Sequence, residues 1–170
     1  KKGTALDHKN ILSTIKHGGG NVMVWGCMAH NGVGNLEVIN GRMTALSYIE
    51  ALRRNLKSSA RKLGLQDTYI FQQDNDTKHS ANVTREWLLY NAPRRLRTPP
   101  QSLDLNPIEH LWHHLDQEVR NNHITGRDSL ESTLIHSWNN ISSNITKKLV
   151  ESMPRRLEAI IKANGLHTRY

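Results

Sequence analysis

A chain of 170 residues with 36 % hydrophobic residues is long enough for one domain with a core, and no run approaches the ~18 apolar residues of a membrane span. Its single cysteine, Cys27, excludes an internal disulfide framework and a Cys-rich zinc site. The 23 Lys and Arg outnumber 15 Asp and Glu, and the resulting charge of +8 favours polyanionic partners through counterion release, without implying sequence recognition.

The first residues, Lys1-Lys2-Gly3-Thr4, lack the apolar stretch of a secretory leader. Residues 10–16 alternate loosely, and Gly18-Gly19-Gly20 reads as a flexible turn. Residues 21–29, rich in Val and holding Trp25, predict a strand with Cys27 as a buried thiol. His30-Asn31-Gly32 carries an Asn-Gly turn signal, and residues 34–39 alternate as a half-buried strand should, so the region predicts a hairpin or meander. The glycine cluster lacks the Gly-Lys-Ser/Thr ending of a phosphate loop.

From Thr44 to about Leu63, Ile49, Leu52, Leu56, Ala60 and Leu63 recur at helical spacing, with a basic outer side and Gly64 as the stop. Residues 69–73 predict a short apolar strand, His79 to about Tyr90 a helix, and residues 94–97 a further short strand after Pro93. The last third is helical, through Ile108 to Val119, Leu130 to Ile141 and Leu149 to Ile160. No internal repeat or boundary interrupts residues 1–170, so one domain is expected. Strands first, then alternation, then helices suggest an α/β fold, a mixed sheet with helices on its faces.

Two acids stand out, with 34 residues (75–108) between them. Asp74 ends the apolar run Tyr69-Ile70-Phe71-Gln72-Gln73, and Glu109 follows the proline-marked turn Asn106-Pro107-Ile108 that opens a helix. A strand-end and a helix-start carboxylate together suit a hard divalent cation, which takes one or two carboxylates and leaves its other positions to water and phosphate. Each acid also has a purely structural role open to it. Glu109 falls where an acidic side chain reaches back to an Asn106 cap, and Asp74 could cap the helix near Lys78.

Three segments bear on this choice. Lys16-His17-Gly18-Gly19-Gly20-Asn21-Val22-Met23-Val24-Trp25-Gly26, Gln72-Gln73-Asp74-Asn75-Asp76-Thr77-Lys78-His79 and Ser102-Leu103-Asp104-Leu105-Asn106-Pro107-Ile108-Glu109-His110-Leu111-Trp112 closely resemble the catalytic domain of mariner-type transposases, in the Tc branch. Ser152-Met153-Pro154-Arg155-Arg156 and Gly165-Leu166-His167-Thr168-Arg169-Tyr170 resemble that branch's C-terminal end. The resemblance implies an RNase H-like (retroviral-integrase-like) fold and a DDE-type triad holding Mg²⁺ or Mn²⁺, with Asp74 as second acid and Glu109 as third. It implies phosphodiester cleavage and strand transfer on double-stranded DNA, at transposon ends and at the target. It further implies a homodimer, a nuclear location and no membrane partner.

The family's first acid and the strand that bears it should precede Lys16-His17 by a few tens of residues. Asp7 is the only acid before Glu37, and its surroundings look like the linker after that strand. The chain is therefore expected to be N-terminally truncated relative to the family fold, lacking the helix-turn-helix region, with one sheet edge left unpaired unless another segment covers it. Thr77 stands where the branch often has proline, and Thr98-Pro99-Pro100 where Trp-Pro-Ser is common.

Candidate DNA contacts are Lys78 and His79, after the second acid, and Arg94, Arg95 and Arg97, between the two acids in sequence. Solvated helix faces remain an equal reading for the basic groups at 53–62 and 147–156. The rivals are a zinc site on His110 and His114, which lacks a third ligand and the His-Glu-x-x-His order, and a catalytically silent DNA-binding or assembly module. Trp25, Trp87, Trp112 and Trp138 fall in apolar patterns and are expected in the core rather than stacked on bases.

Overall fold

The computed structural model describes residues 12–17, 20–66, 68–99 and 102–164; Asp7, Gly18, Gly19 and the segment from Gly165 to Tyr170 lie outside them. The chain opens with three strands, β1 (Leu12–His17), β2 (Gly20–Ala29) and β3 (Gly32–Ile39), paired antiparallel in the order β1-β2-β3. The long helix α1 (Ala45–Lys62) follows, its start fixed by a reciprocal capping box between Thr44 and Ser47. Next come β4 (Phe71–Gln72), the one-turn helix α2 (Thr77–Ser80), α3 (Asn82–Asn91) and β5 (Arg95–Leu96). A 3-10 turn at Leu103–Leu105 leads into four helices, α4 (Ile108–Arg120), α5 (Arg127–Asn139), α6 (Ser143–Glu151) and α7 (Met153–Lys162).

β2 is the spine, because its side chains alternate between two covered faces. Trp25 packs with Tyr48, Leu52 and Leu56 of α1, with Phe71 of β4 and with Leu88 of α3. Val22 and Val24 pack on the opposite side with Leu111, Trp112 and Leu115 of α4 and Leu130, Leu134 and Trp138 of α5. Trp112 and Trp138 stack at 5.0 Å, and the Trp138 indole N–H donates to the Gly34 carbonyl at 3.0 Å. The rings reach the sheet because Gly26 has no side chain: a Cβ there would stand 2.7 Å from Trp112 and 3.0 Å from Trp138. Trp25, Trp112 and Trp138 are thus core residues, as their pattern predicts, and Trp87 packs partly buried against the α1 side. Cys27 is half-buried, with burial pushing its thiol up to about 11.

Four sequence expectations are corrected. The strands form two separate sheets among the described residues, since β4 pairs only with β5, in parallel, and not with the antiparallel sheet. Among the described residues, β1 pairs with Gly20 to Trp25 on the outer edge of β2, and Gly26 to Ala29 line a groove of about 480 Å³ together with Ile70, Phe71 and Gln72. The predicted helix from His79 to Tyr90 is broken at Ala81, whose extended backbone separates α2 from α3. The final helix is broken at Ser152, because Pro154 lacks an N–H and suits the first turn of a new helix.

Candidate active site

Asp74 stands two residues beyond β4, between that strand and α2, which Asp76 caps through its side chain to the Lys78 N–H at 2.8 Å. Its Oδ1 accepts two hydrogen bonds, from His79 Nδ1 at 2.5 Å and from the Asp76 N–H at 3.2 Å. Gln73 braces the same turn: its amide accepts from the Tyr48 hydroxyl at 2.9 Å and donates to the His79 carbonyl at 3.0 Å. The Tyr48 phenol is raised well above its ordinary pKa, first by burial and then by the nearby charge of Asp74, so it remains a donor.

Glu109 lies in the first turn of α4. The expected capping box is only partly made, since no side chain caps the helix and it is the Asn106 amide that donates to the Glu109 carboxylate, at 3.3 Å. The segments that bear the two acids are tied directly, because the Gln72 amide of β4 donates to the Leu105 carbonyl just ahead of α4 at 2.9 Å. Burial, followed by the negative charge of Asp74, pushes Glu109 up to about 8. No Lys or Arg pairs with either carboxylate among the described residues. A half-buried pair of carboxyl groups with hard oxygen donors, neither paired with a Lys or Arg among the described residues, is a donor set that Mg²⁺ or Mn²⁺ fits.

The predicted DNA contacts are dispersed. His79 is 0 % exposed, which leaves it no surface for DNA, and Lys78 is ion-paired with Asp76 at 2.9 Å. The arginine group is split by β5. Because β4 and β5 run parallel, with Phe71 N–H donating to the Arg94 carbonyl at 2.9 Å, Arg94 sits at the start of the pair. There it lines a cleft of about 340 Å³ with Lys57, Arg61 and Tyr90. Arg97 stands at the other end, beside Thr98, whose carbonyl accepts from the Asn75 side chain at 2.9 Å next to Asp74. Arg95 lies within the strand, half-buried. His110, His113 and His114 form no zinc site, as no group of three or more potential ligands converges among the described residues. Tyr48 and Gln73 escaped the sequence reading; on an amphipathic helix a buried tyrosine gives no sign of which polar group it meets.

The model of the DDE superfamily endonuclease family matches residues 1–131. The chain is 37 % identical over 171 residues to the Tc1 transposase of Caenorhabditis elegans, covering 99 % of this chain and 61 % of that protein. It is 38 % identical over 157 residues to the Tcb1 transposase of Caenorhabditis briggsae, covering 92 % and 57 %. The chain thus spans about three fifths of the length of these relatives. In fold it is similar to the Mos1 transposase catalytic domain solved with Raltegravir and Mg, with a TM-score of 0.83 at 20 % identity over 94 % of this chain and 84 % of that one. The Mos1 mariner paired end complex with Mn gives a TM-score of 0.78 at 19 % identity, over 99 % and 49 %. The chain has the RNase H-like fold and belongs to the DDE superfamily endonucleases, among the Tc-type transposase catalytic domains.

Proposed function

We propose that this chain serves metal-dependent cleavage and rejoining of DNA phosphodiesters in transposition, with Asp74 and Glu109 as two of the carboxylates that hold the metal. What supports the proposal is that the charge of Asp74 reaches Glu109, on segments tied through Gln72 and Leu105, with no Lys or Arg paired to either carboxylate among the described residues. Bound there, Mg²⁺ or Mn²⁺ would supply a Lewis acid and a water of lowered pKa. Asp74 offers its Oδ2, which no protein donor among the described residues occupies, while Oδ1 is spent on His79 and Asp76. Glu109 joins as the ionised form, releasing the proton it holds below about pH 8.

In cleavage, a water oxygen bonds to phosphorus, the bond from phosphorus to the 3′ oxygen breaks, and that oxygen leaves as a hydroxyl. In strand transfer the freed 3′-hydroxyl attacks a target phosphodiester in the same in-line way, so bond number is conserved. Double-stranded DNA, transposon end and target alike, is the proposed substrate, with the +8 charge favouring it. Arg97, exposed beside the Asp74 turn, is the proposed phosphate contact near the site, whereas Arg94 lies too far along β4 to share it. Dimeric action and a nuclear location, which the family resemblance implies, are part of the same proposal.

The relatives are longer than this chain, and the groove between the Gly26 to Ala29 edge and β4 is the natural lane for one more strand. A strand carrying a further acid there would bridge the two sheets and bring a third carboxylate beside Asp74. The alternative reading is a DNA-binding or assembly module that does not cut. A Mg²⁺-dependent nicking assay on transposon-end DNA separates them. The proposal expects cutting by a polypeptide extended upstream of residue 1 and none by its Asp74→Asn form. Undiminished cutting by Asp74→Asn contradicts it.

A further inference from the structure

We infer that His79 is a positioning residue whose imidazole orients the Asp74 carboxylate for the cation. This inference rests on the two-carboxylate reading above and assigns to this side chain a task other than DNA contact. His79 is wholly buried in a helix of one turn, its ring tilted by 33° against Tyr48 with centroids 4.0 Å apart. Its backbone is held from both sides, by its N–H donating to the Asp76 carbonyl at 3.0 Å and by its own carbonyl accepting from Gln73. Thr84 of α3 donates to the neighbouring Lys78 carbonyl at 2.8 Å, locking α2 onto the next helix. The ring therefore has little freedom to turn.

Its polar atoms are used unequally. Nε2 is buried with no hydrogen-bond partner among the described residues, while Nδ1 lies 2.5 Å from Asp74 Oδ1. A carboxylate oxygen only accepts, so Nδ1 carries the hydrogen in this contact. A purely space-filling role against Tyr48 would be met by an apolar ring, without a buried nitrogen left unsatisfied. The one polar task in this pocket is the bond to Asp74. The terminal torsion of an aspartate is otherwise broad and two-fold, so two donors on a single oxygen distinguish its two oxygens and leave Oδ2 to the metal.

The amide N–H of asparagine reaches approximately where Nδ1 lies, and that of glutamine approximately where Nε2 lies. Mn²⁺ titrated into the full chain and followed by electron paramagnetic resonance should show His79→Asn within about threefold of the parent. His79→Gln should bind Mn²⁺ about 10–100-fold more weakly, the usual cost of losing an outer-shell partner. Equal affinities in the two variants, whether both preserved or both lost, overturn the inference. Asp74→Asn is the separate control: if it binds Mn²⁺ as tightly as the parent, the two-carboxylate reading fails instead. A metal-free readout decides the orientation independently of binding and of any loss of fold in the variants. Nitrogen-15 spectra of the parent chain should show His79 protonated at Nδ1, with that resonance moving in Asp74→Ala; a ring protonated at Nε2 alone contradicts the assignment.

Discussion

Asp74 and Glu109 carry the same chemical group, yet their surroundings treat it in opposite ways. Asp74 is organised by donors: a buried imidazole and a backbone N–H fix one oxygen, and Tyr48 and Gln73 brace the turn behind it. Glu109 is organised by desolvation, with one long bond from Asn106 and a pKa near 8. Donors set the direction of the first carboxylate, and burial makes ionisation of the second unfavourable. On the proposed reading a cation would draw on both, since it needs an oriented ligand and offsets a charge the fold disfavours.

The largest effect that can break this comparison is loss of reaction. Asp74→Asn and Glu109→Gln should each lower strand cleavage by the polypeptide extended upstream of residue 1 by at least about a thousandfold, roughly 4 kcal/mol of barrier. The double variant should be little worse than either single one, as groups acting as a unit are not additive.

Next comes stability against pH without metal. A carboxyl whose folded pKa lies above its unfolded value stabilises the folded state while protonated, so stability should fall as pH rises from about 4.5 through about 8 and level off above. The loss should be on the order of a few kcal/mol, should vanish in Glu109→Gln and should shrink when Mg²⁺ is added. Denaturant unfolding at pH 5, 7 and 9 measures it.

Gly26→Ala tests the packing of Trp112 and Trp138 on β2 rather than either acid. It should cost about 1–3 kcal/mol by forcing Trp112 and Trp138 off the sheet, while leaving the pH dependence unchanged. The smallest effect sharpens the order of causes at Glu109. Asp74→Asn should lower the Glu109 midpoint yet leave it above 4.5, because burial is the larger cause and Asp74 the smaller. A midpoint that falls all the way to 4.5 in unfolding or in a carbon-13 titration reverses that order.

The two acids were legible because each sits at a sharp change of chemistry, an apolar strand ending in acid and an Asn-Pro turn opening a helix. The hydrophobic spacing of α1, α4 and α5 and the core tryptophans were legible for the same reason, since periodicity reports a buried face. Burial of His79 was not, because a histidine after Asp-Thr-Lys reads as a solvated helix start, and its contacts with Tyr48 and Asp74 are tertiary. The separation of Arg94 from Arg97 was equally hidden: a two-residue strand carries almost no pattern, yet its parallel pairing puts the two arginines at opposite ends. The helix break at Pro154 was written in the sequence, where the periodicity running through it masked the stop.

Replacing the natural metal with Fe²⁺ and generating hydroxyl radicals cuts a backbone only within a few ångströms of the ion. If Asp74 and Glu109 grip one metal centre, the full chain should be cut both around residues 73–76 and around residues 106–110, with both cuts lost together in Asp74→Asn. Cutting at one of these segments alone, or at both in the variant, would contradict the account.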